Sequence, residues 1–232
     1  MASIKTFIGS VLSPVYLLDK KMDALTRGML ATQVFRGSQW LDVGCGLQPF
    51  LSSFENAHCT GIDIEASGRD IALKKPDKFF NGVNIPFEDN SFDGILCTQV
   101  LEHAEHVDLL VAECYRVLKK GGVFMVSVPF AFREHEQPYD FRRFTSYGLM
   151  HLLDRHGFSV ISSHKCLSAI ETIGTLFNVY VNNNIGSRSR LLYFLTKTFL
   201  ILPSSIFSAL LSKILPDNGD LFCTLVVAAT PK

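Results

Sequence analysis

The apolar run Trp40-Leu41-Asp42-Val43 leads without a break into Gly44-Cys45-Gly46, and then into Leu47-Gln48-Pro49-Phe50. This junction constrains the fold more than any other stretch. Glycine adopts positive φ without steric cost and lets backbone approach a ligand closely. At the carboxyl end of a strand, such a turn stands where an open α/β sheet binds its cofactor. Taken alone, Gly-x-Gly is equally the mark of a tight turn. Gln48-Pro49 occupies the place of a third glycine in a dinucleotide fingerprint, and no Lys-Ser/Thr pair follows, so this is not a phosphate-cradling P-loop.

The rest of the chain alternates strand-like and helix-like segments. Strands are expected at Gln39–Val43, Cys59–Ile64, Lys78–Val83 (weak), Ser91–Cys97, Val123–Val128, Phe158–Ser163 and Leu221–Ala229. Helices are expected between residues 3 and 35, interrupted by Pro14, at Phe50–Asn56, as a turn at Ile71–Lys75, at Val107–Lys119 and at Ser146–His156. Lys119 and Lys120 would complement the end of the Val107 helix, with Gly121-Gly122 stopping it. This rhythm predicts a doubly wound, Rossmann-like and mostly parallel sheet. Three pieces follow: an N-terminal helical segment (1–37), the α/β domain (38–166 and 218–232), and an apolar helical insertion (167–217).

Lys and Arg (22) balance Asp and Glu (22), so no basic face for nucleic acid is implied. The six cysteines are scattered without a CxxC pair, which points to a reducing, cytoplasmic setting and no zinc site. The N-terminus shows no secretory signal pattern. Charged residues make up 19% of the chain, below the usual quarter, and much of the apolar excess lies in the insertion.

Asp63 closes the second strand about 20 residues after the glycine loop, where a carboxylate can accept from both hydroxyls of a ribose. A solvated loop aspartate is the plain alternative. Four motifs then appear in order: Leu41-Asp42-Val43-Gly44-Cys45-Gly46, Gly61-Ile62-Asp63, Ile85-Pro86-Phe87-Glu88-Asp89-Asn90-Ser91-Phe92-Asp93, and Arg116-Val117-Leu118-Lys119-Lys120-Gly121-Gly122. Together they resemble the class I S-adenosylmethionine-dependent methyltransferases of the type 11 group, over residues 38 to 165. The resemblance implies a seven-stranded sheet with an antiparallel last strand, and S-adenosylmethionine as cofactor. It places Asp42, Gly44, Cys45 and Gly46 beside the methionine part, Asp63 and Ile64 at the ribose, Asn81 and Gly82 near the adenine, and Gln99 near the centre. Asn81-Gly82 departs from the family's usual Asp-Ala.

Gly-Cys-Gly-x-x-Pro-aromatic, with the run His135-Glu136-Gln137-Pro138-Tyr139-Asp140-Phe141-Arg142-Arg143-Phe144-Thr145, is similar to bacterial members associated with surface-saccharide biosynthesis. That similarity implies a saccharide or other small-molecule acceptor. His135 would act as general base, Asp140 would orient it, and Arg143 would bind an anionic group. Asp140 and Arg143 could equally pair to brace the loop. His103 is a candidate for the acceptor pocket; its spacing from His106 is not that of HExxH enzymes, and no metal is expected. The insertion holds Leu191–Leu202 and Ile206–Leu215, separated by Pro203-Ser204-Ser205, and neither half reaches the roughly 20 apolar residues of a span. Three readings stay open for it: a helical hairpin on the domain, a homodimer interface, or a segment on the inner face of a membrane. In the last case the chain would be cytoplasmic and peripheral.

Overall fold

The apolar strand segments assemble, in the computed structural model, into one seven-stranded sheet ordered β3-β2-β1-β4-β5-β7-β6. The structure describes residues 12–67, 70 and 75–232. The strands are β1 (Gln39–Val43), β2 (His58–Ile64), β3 (Lys78–Phe80), β4 (Phe92–Thr98), β5 (Leu118–Pro129), β6 (Phe158–Cys166) and β7 (Thr224–Pro231). β1 pairs in parallel with β2 and β4, so Asp42 lies opposite Gly61 on one side and Leu96 on the other. β3 continues the parallel set beyond β2, β5 continues it beyond β4, and β7 is antiparallel. This is the doubly wound, Rossmann-like sheet that the alternation predicts, with the antiparallel last strand that the resemblance implies.

The centre of β4 and the Val123–Pro129 part of β5 are buried at every residue, as expected of strands covered on both faces. Trp40, Phe50, Phe54, Leu96 and Met125 form a buried cluster, with the Trp40 and Phe54 ring centroids 5.4 Å apart. Each such side chain removed from water stabilises the fold by about 1.5–3 kcal/mol. The helices packed in this part are α2 (Val107–Val117), which buries Leu110, Val111, Cys114 and Val117, and α3 (Ser146–Arg155), capped by the Thr145 hydroxyl.

Several local expectations change. The segment between residues 3 and 35 is one helix, α1 (Tyr16–Gln33), over its described part; residues before 12 lie outside the described set. Phe50–Asn56 is reduced to a single 3₁₀ turn, Leu51–Phe54. Of the turn expected at Ile71–Lys75, all but Lys75 lies outside the described residues. α2 ends at Val117 rather than Lys119, because Leu118 already pairs with Phe92 at the start of β5. Lys119 therefore does not cap a helix, and its ammonium holds Asp93 at 2.8 Å. A register shift between Phe92 and Gly94 accommodates the residues between Leu118 and Val123, Gly121-Gly122 among them.

The chain divides into two compact units. One, comprising 26–130, 134–164 and 225–232, carries the sheet. The other comprises the described residues up to Leu25, residues 131–133 and Lys165–Thr224, and so includes the first part of α1 and the insertion. In this second unit α4 (Ala169–Asn184) opens on a capping box between Ser168 and Glu171. The two apolar halves that follow are not separate helices. They form one 22-residue helix, α5 (Arg190–Leu211). A π turn at Lys197–Ile201 makes this possible: Leu202 N–H donates to Lys197 O, five residues back. That widening relieves the clash a proline ring makes with the preceding turn, so Pro203 does not end the helix.

Candidate active site

The carboxyl ends of β1, β2 and β4 face a cleft holding about 650 Å³ of empty space, open to solvent. Gly44 and Gly46 form one wall, with φ of 68° and 52°. A Cβ on Gly44 would sit 2.3 Å from Val100 Cγ2, so only glycine brings the backbone through this point. Asp63, at the end of β2, is held by two backbone donors: Gly46 N–H at 2.9 Å and Ile64 N–H at 2.7 Å. The loop and the carboxylate that sequence spacing linked are thus hydrogen-bonded to each other. Gln99, with φ 54°, turns the chain away from β4, and its amide nitrogen donates to Ser127 Oγ at 3.1 Å.

Of the residues expected around a cofactor, Gly44, Gly46, Asp63, Ile64, Gly82 and Gln99 line this cleft. Asp42 and Cys45 lie beneath it. Asp42 is buried in β1, where desolvation, reinforced by the charge of Asp63, pushes its carboxyl up to about 7. The Cys45 sulfur packs toward Gly61, and burial pushes its thiol up to about 12, an unreactive state. Asn81 borders a neighbouring depression, and its Oδ1 accepts from the N–H groups of Val83 and Asn84, shaping the loop. Spacing alone did not indicate Thr98, Val100, Ala104 and Glu136, which also line the cleft.

The lining includes the carboxylates of Asp63 and Glu136 and, among the described residues, no Lys or Arg. That donor set suits S-adenosylmethionine, which carries a ribose, an ammonium and a sulfonium but no phosphate. If that cofactor binds here, Asp63 would accept from the ribose hydroxyls and the Gly44–Gly46 backbone would flank the methionine part.

At one edge of the cleft two motifs that are far apart in sequence come together. The turn after β4 carries Glu102 and His103, and the loop after β5 folds onto it. Phe141 N–H donates to Glu102 O at 2.9 Å, and the Arg142 guanidinium donates to the carbonyls of Leu101, Ala104 and Glu105. Arg142, singled out by nothing in the sequence, is what staples the turn. Asp140 takes a bidentate fork from Arg143 at 2.6 and 2.7 Å, and the guanidinium holds its carboxyl well below the usual carboxylate range. Asp140 also accepts from His135 N–H and lies 3.3 Å from His135 Nδ1. Arg143 is therefore engaged in bracing this loop.

The rings of His103 and His135 meet edge to face, 4.7 Å apart. His103 lines the cleft, whereas His135, Asp140 and Arg143 are not among its lining residues. His103 Nδ1 lies 2.7 Å from Tyr139 O. A carbonyl can only accept, so Nδ1 carries the hydrogen and Nε2 of the neutral ring holds the lone pair. That Nε2 is buried without a partner, 3.9 Å from Glu102 and 4.0 Å from Glu136. Glu102 is fully buried, and neither of its oxygens bonds a group outside its own residue. Desolvation pushes its carboxyl up to about 8. Glu102, His103 and His135 each offer one ligand atom within 4.8 Å of the others, so this trio, rather than His103 with His106, is where a metal ion could be held.

Comparison with known proteins agrees with this geometry. Residues 41–126 match the model of a methyltransferase domain family. The chain is 39% identical over 84 residues to the ubiquinone/menaquinone biosynthesis C-methyltransferase of Brucella abortus, covering 32% of this chain and 31% of that protein. It is 35% identical over 103 residues to a sterol 24-C-methyltransferase of Gibberella zeae, covering 39% and 27%. The chain thus spans less than a third of the length of these relatives. Among solved structures, the 1,6-didemethyltoxoflavin-N1-methyltransferase of Burkholderia thailandensis, with bound 1,6-didemethyltoxoflavin and S-adenosylhomocysteine, superposes with TM-score 0.53 at 16% identity, over 100% of this chain and 92% of that one. At that identity the likeness speaks for the fold. Sheet order, cleft and the match of residues 41–126 to a methyltransferase domain family thus point the same way, and over those residues the chain is similar to that family.

Proposed function

We propose that the whole chain is a methyltransferase acting on a hydroxyl of a saccharide or other small-molecule acceptor. The observation that carries this reading is His103 in the lining of the cleft, with its hydrogen on Nδ1; its Nε2 is without a partner and buried in this structure, so it must be uncovered to meet an acceptor. A hydroxyl of high pKa needs a base as it attacks, and a histidine of fixed tautomer provides one. S-adenosylmethionine, when bound, supplies a methyl group already activated on sulfur, so the remaining work is alignment and proton removal. Asp63 and the Gly44–Gly46 backbone would hold it. Asp140 sets the position of His135 and Arg143, and Arg142 holds the turn that carries His103. His103 thereby takes the base role that the sequence assigned to His135.

Calorimetric titration with S-adenosylhomocysteine, on the intact chain and on Asp63→Ala, tests the donor site. Turnover with isotopically labelled donor, on the intact chain and on His103→Gln, tests the chemistry. Binding that persists in His103→Gln while turnover disappears supports the proposal. Binding by the intact chain with no product from any acceptor would leave a cofactor-binding interaction protein instead. A second reading, methylation of a carbon on a quinone or another lipid, draws support from the names of the two sequence relatives. The carbon chemical shift of the transferred methyl separates O-methyl from C-methyl products.

A further inference from the structure

The hairpin of α4 and α5 is inside out. On a helix of a water-soluble domain the apolar stripe faces the core and the polar face meets solvent. Here the buried residues of α5 are Thr196, Ser205 and Ser208 with the single apolar Ile201, Ser205 and Ser208 meeting α4, while Leu191, Phe194, Phe199, Ile206, Phe207 and Leu210 are exposed. α4 shows the same tendency: Thr172, Thr175 and Asn178 are buried alongside Val179 and Val181, while Ile173, Phe177 and Tyr180 are exposed. The helices are joined by small and polar groups. Asn178 Nδ2 donates to Ser205 Oγ at 2.9 Å, and a Cβ on Gly174 would sit 2.7 Å from Ser208 Oγ. Small residues at close approach and hydroxyl or amide bonds across the seam are how helices associate where the surroundings are as apolar as leucine.

We propose that this hairpin is immersed in a phospholipid bilayer and anchors the chain to a membrane. A second copy of the chain is the obvious competitor, and the angular distribution of the apolar residues argues against it. Leu191, Leu192, Tyr193, Phe194 and Leu195 are consecutive and each between 36% and 68% exposed. At about 100° per residue they encircle the helix. A protein partner covers one face, whereas lipid covers the whole circumference. Length agrees: 22 residues at about 1.5 Å each give about 33 Å, near the roughly 30 Å of a hydrocarbon core. Charge agrees as well. Arg188 and Arg190 lie at one end of α5 and Lys213 just beyond the other, placed for anionic headgroups. The one charge between them, Lys197, donates to the Tyr193 hydroxyl and sits 4.0 Å over its ring.

The test is flotation of the full chain with vesicles of phosphatidylcholine containing phosphatidylglycerol. The intact chain is expected to float with the vesicles and to remain on them in high salt, since apolar immersion is not screened. The triple variant Phe194→Glu, Phe199→Glu, Phe207→Glu is expected to lose flotation while binding S-adenosylhomocysteine like the intact chain, which shows that it folds. Should that variant fail to fold, Phe207→Trp gives an independent readout: its fluorescence is expected to be quenched by lipids brominated on their acyl chains. Three outcomes overturn the proposal: an intact chain that stays in solution, whether as monomer or as a dimer through this face; flotation abolished by salt; or fluorescence of the Phe207→Trp variant that is indifferent to brominated lipid. None of these depends on whether methyl transfer occurs.

Discussion

Glu102 gives the most demanding test of the reasoning about the cleft edge. Its carboxyl is fully buried, without a partner beyond its own residue, and sits at about 8 instead of the ordinary 4.5. Between those two values the unfolded chain releases this proton and the folded chain keeps it. The folded state binds more protons there, so stability falls as pH rises from about 4.5 towards 8. At about 1.4 kcal/mol per pH unit the loss from this one group approaches about 4–5 kcal/mol by pH 8. Glu102→Gln keeps the shape and has no proton to lose. We expect it to match the native chain near pH 5 and to exceed it by about 3 kcal/mol at pH 7 and about 4 kcal/mol at pH 8. Trp40, the one tryptophan, is buried in the sheet-bearing unit, so its fluorescence in a urea titration reports the relevant transition. With a slope of about 2 kcal/mol per molar urea, the midpoint difference at pH 8 would be about 2 M. Parallel profiles for the two proteins would refute the argument and mean that the folded carboxyl is ionised. A cation held by Glu102, His103 and His135 would produce that result.

Three further outcomes follow from the geometry. Asp63→Ala removes the acceptor at the end of β2 and should weaken S-adenosylhomocysteine binding by about 1.5–3 kcal/mol, roughly ten- to a hundredfold, in calorimetry. Gly44→Ala forces a Cβ to within 2.3 Å of Val100 Cγ2 at a φ of 68°; we expect about 1–3 kcal/mol of destabilisation in urea unfolding, and a larger loss of cofactor binding than a surface alanine would cause. Arg142→Met removes the donors to three carbonyls of the His103 turn. It should lower kcat more than it raises KM for the donor, whereas a merely structural arginine would lower thermal stability and leave that ratio alone.

What could be read in advance was local. β1 ends with the run Trp40–Val43, as read from the sequence, because the positive-φ Gly44 turns the chain there. The link between Gly46 and Asp63 was legible because a parallel pair places the ends of consecutive strands side by side. Where two local rules competed, the fold chose. Lys119-Lys120-Gly121-Gly122 has the composition of a helix end, but pairing with β4 captured it for β5. Pro203 has the composition of a helix break, but one widened turn absorbed it.

By itself, then, the sequence determined the sheet, and the glycine loop and carboxylate that line the cleft, since apolar periodicity and positive-φ glycines act over a few residues. Only the tertiary structure decided which histidine faces the cleft. His103 and His135 meet because Phe141 and Arg142 bind the backbone of a distant turn, and no periodicity records such a contact. It also decided the polarity of the insertion. Composition counts apolar residues, but whether they point inward or outward depends on which face of α5 the serines and threonine turn toward α4.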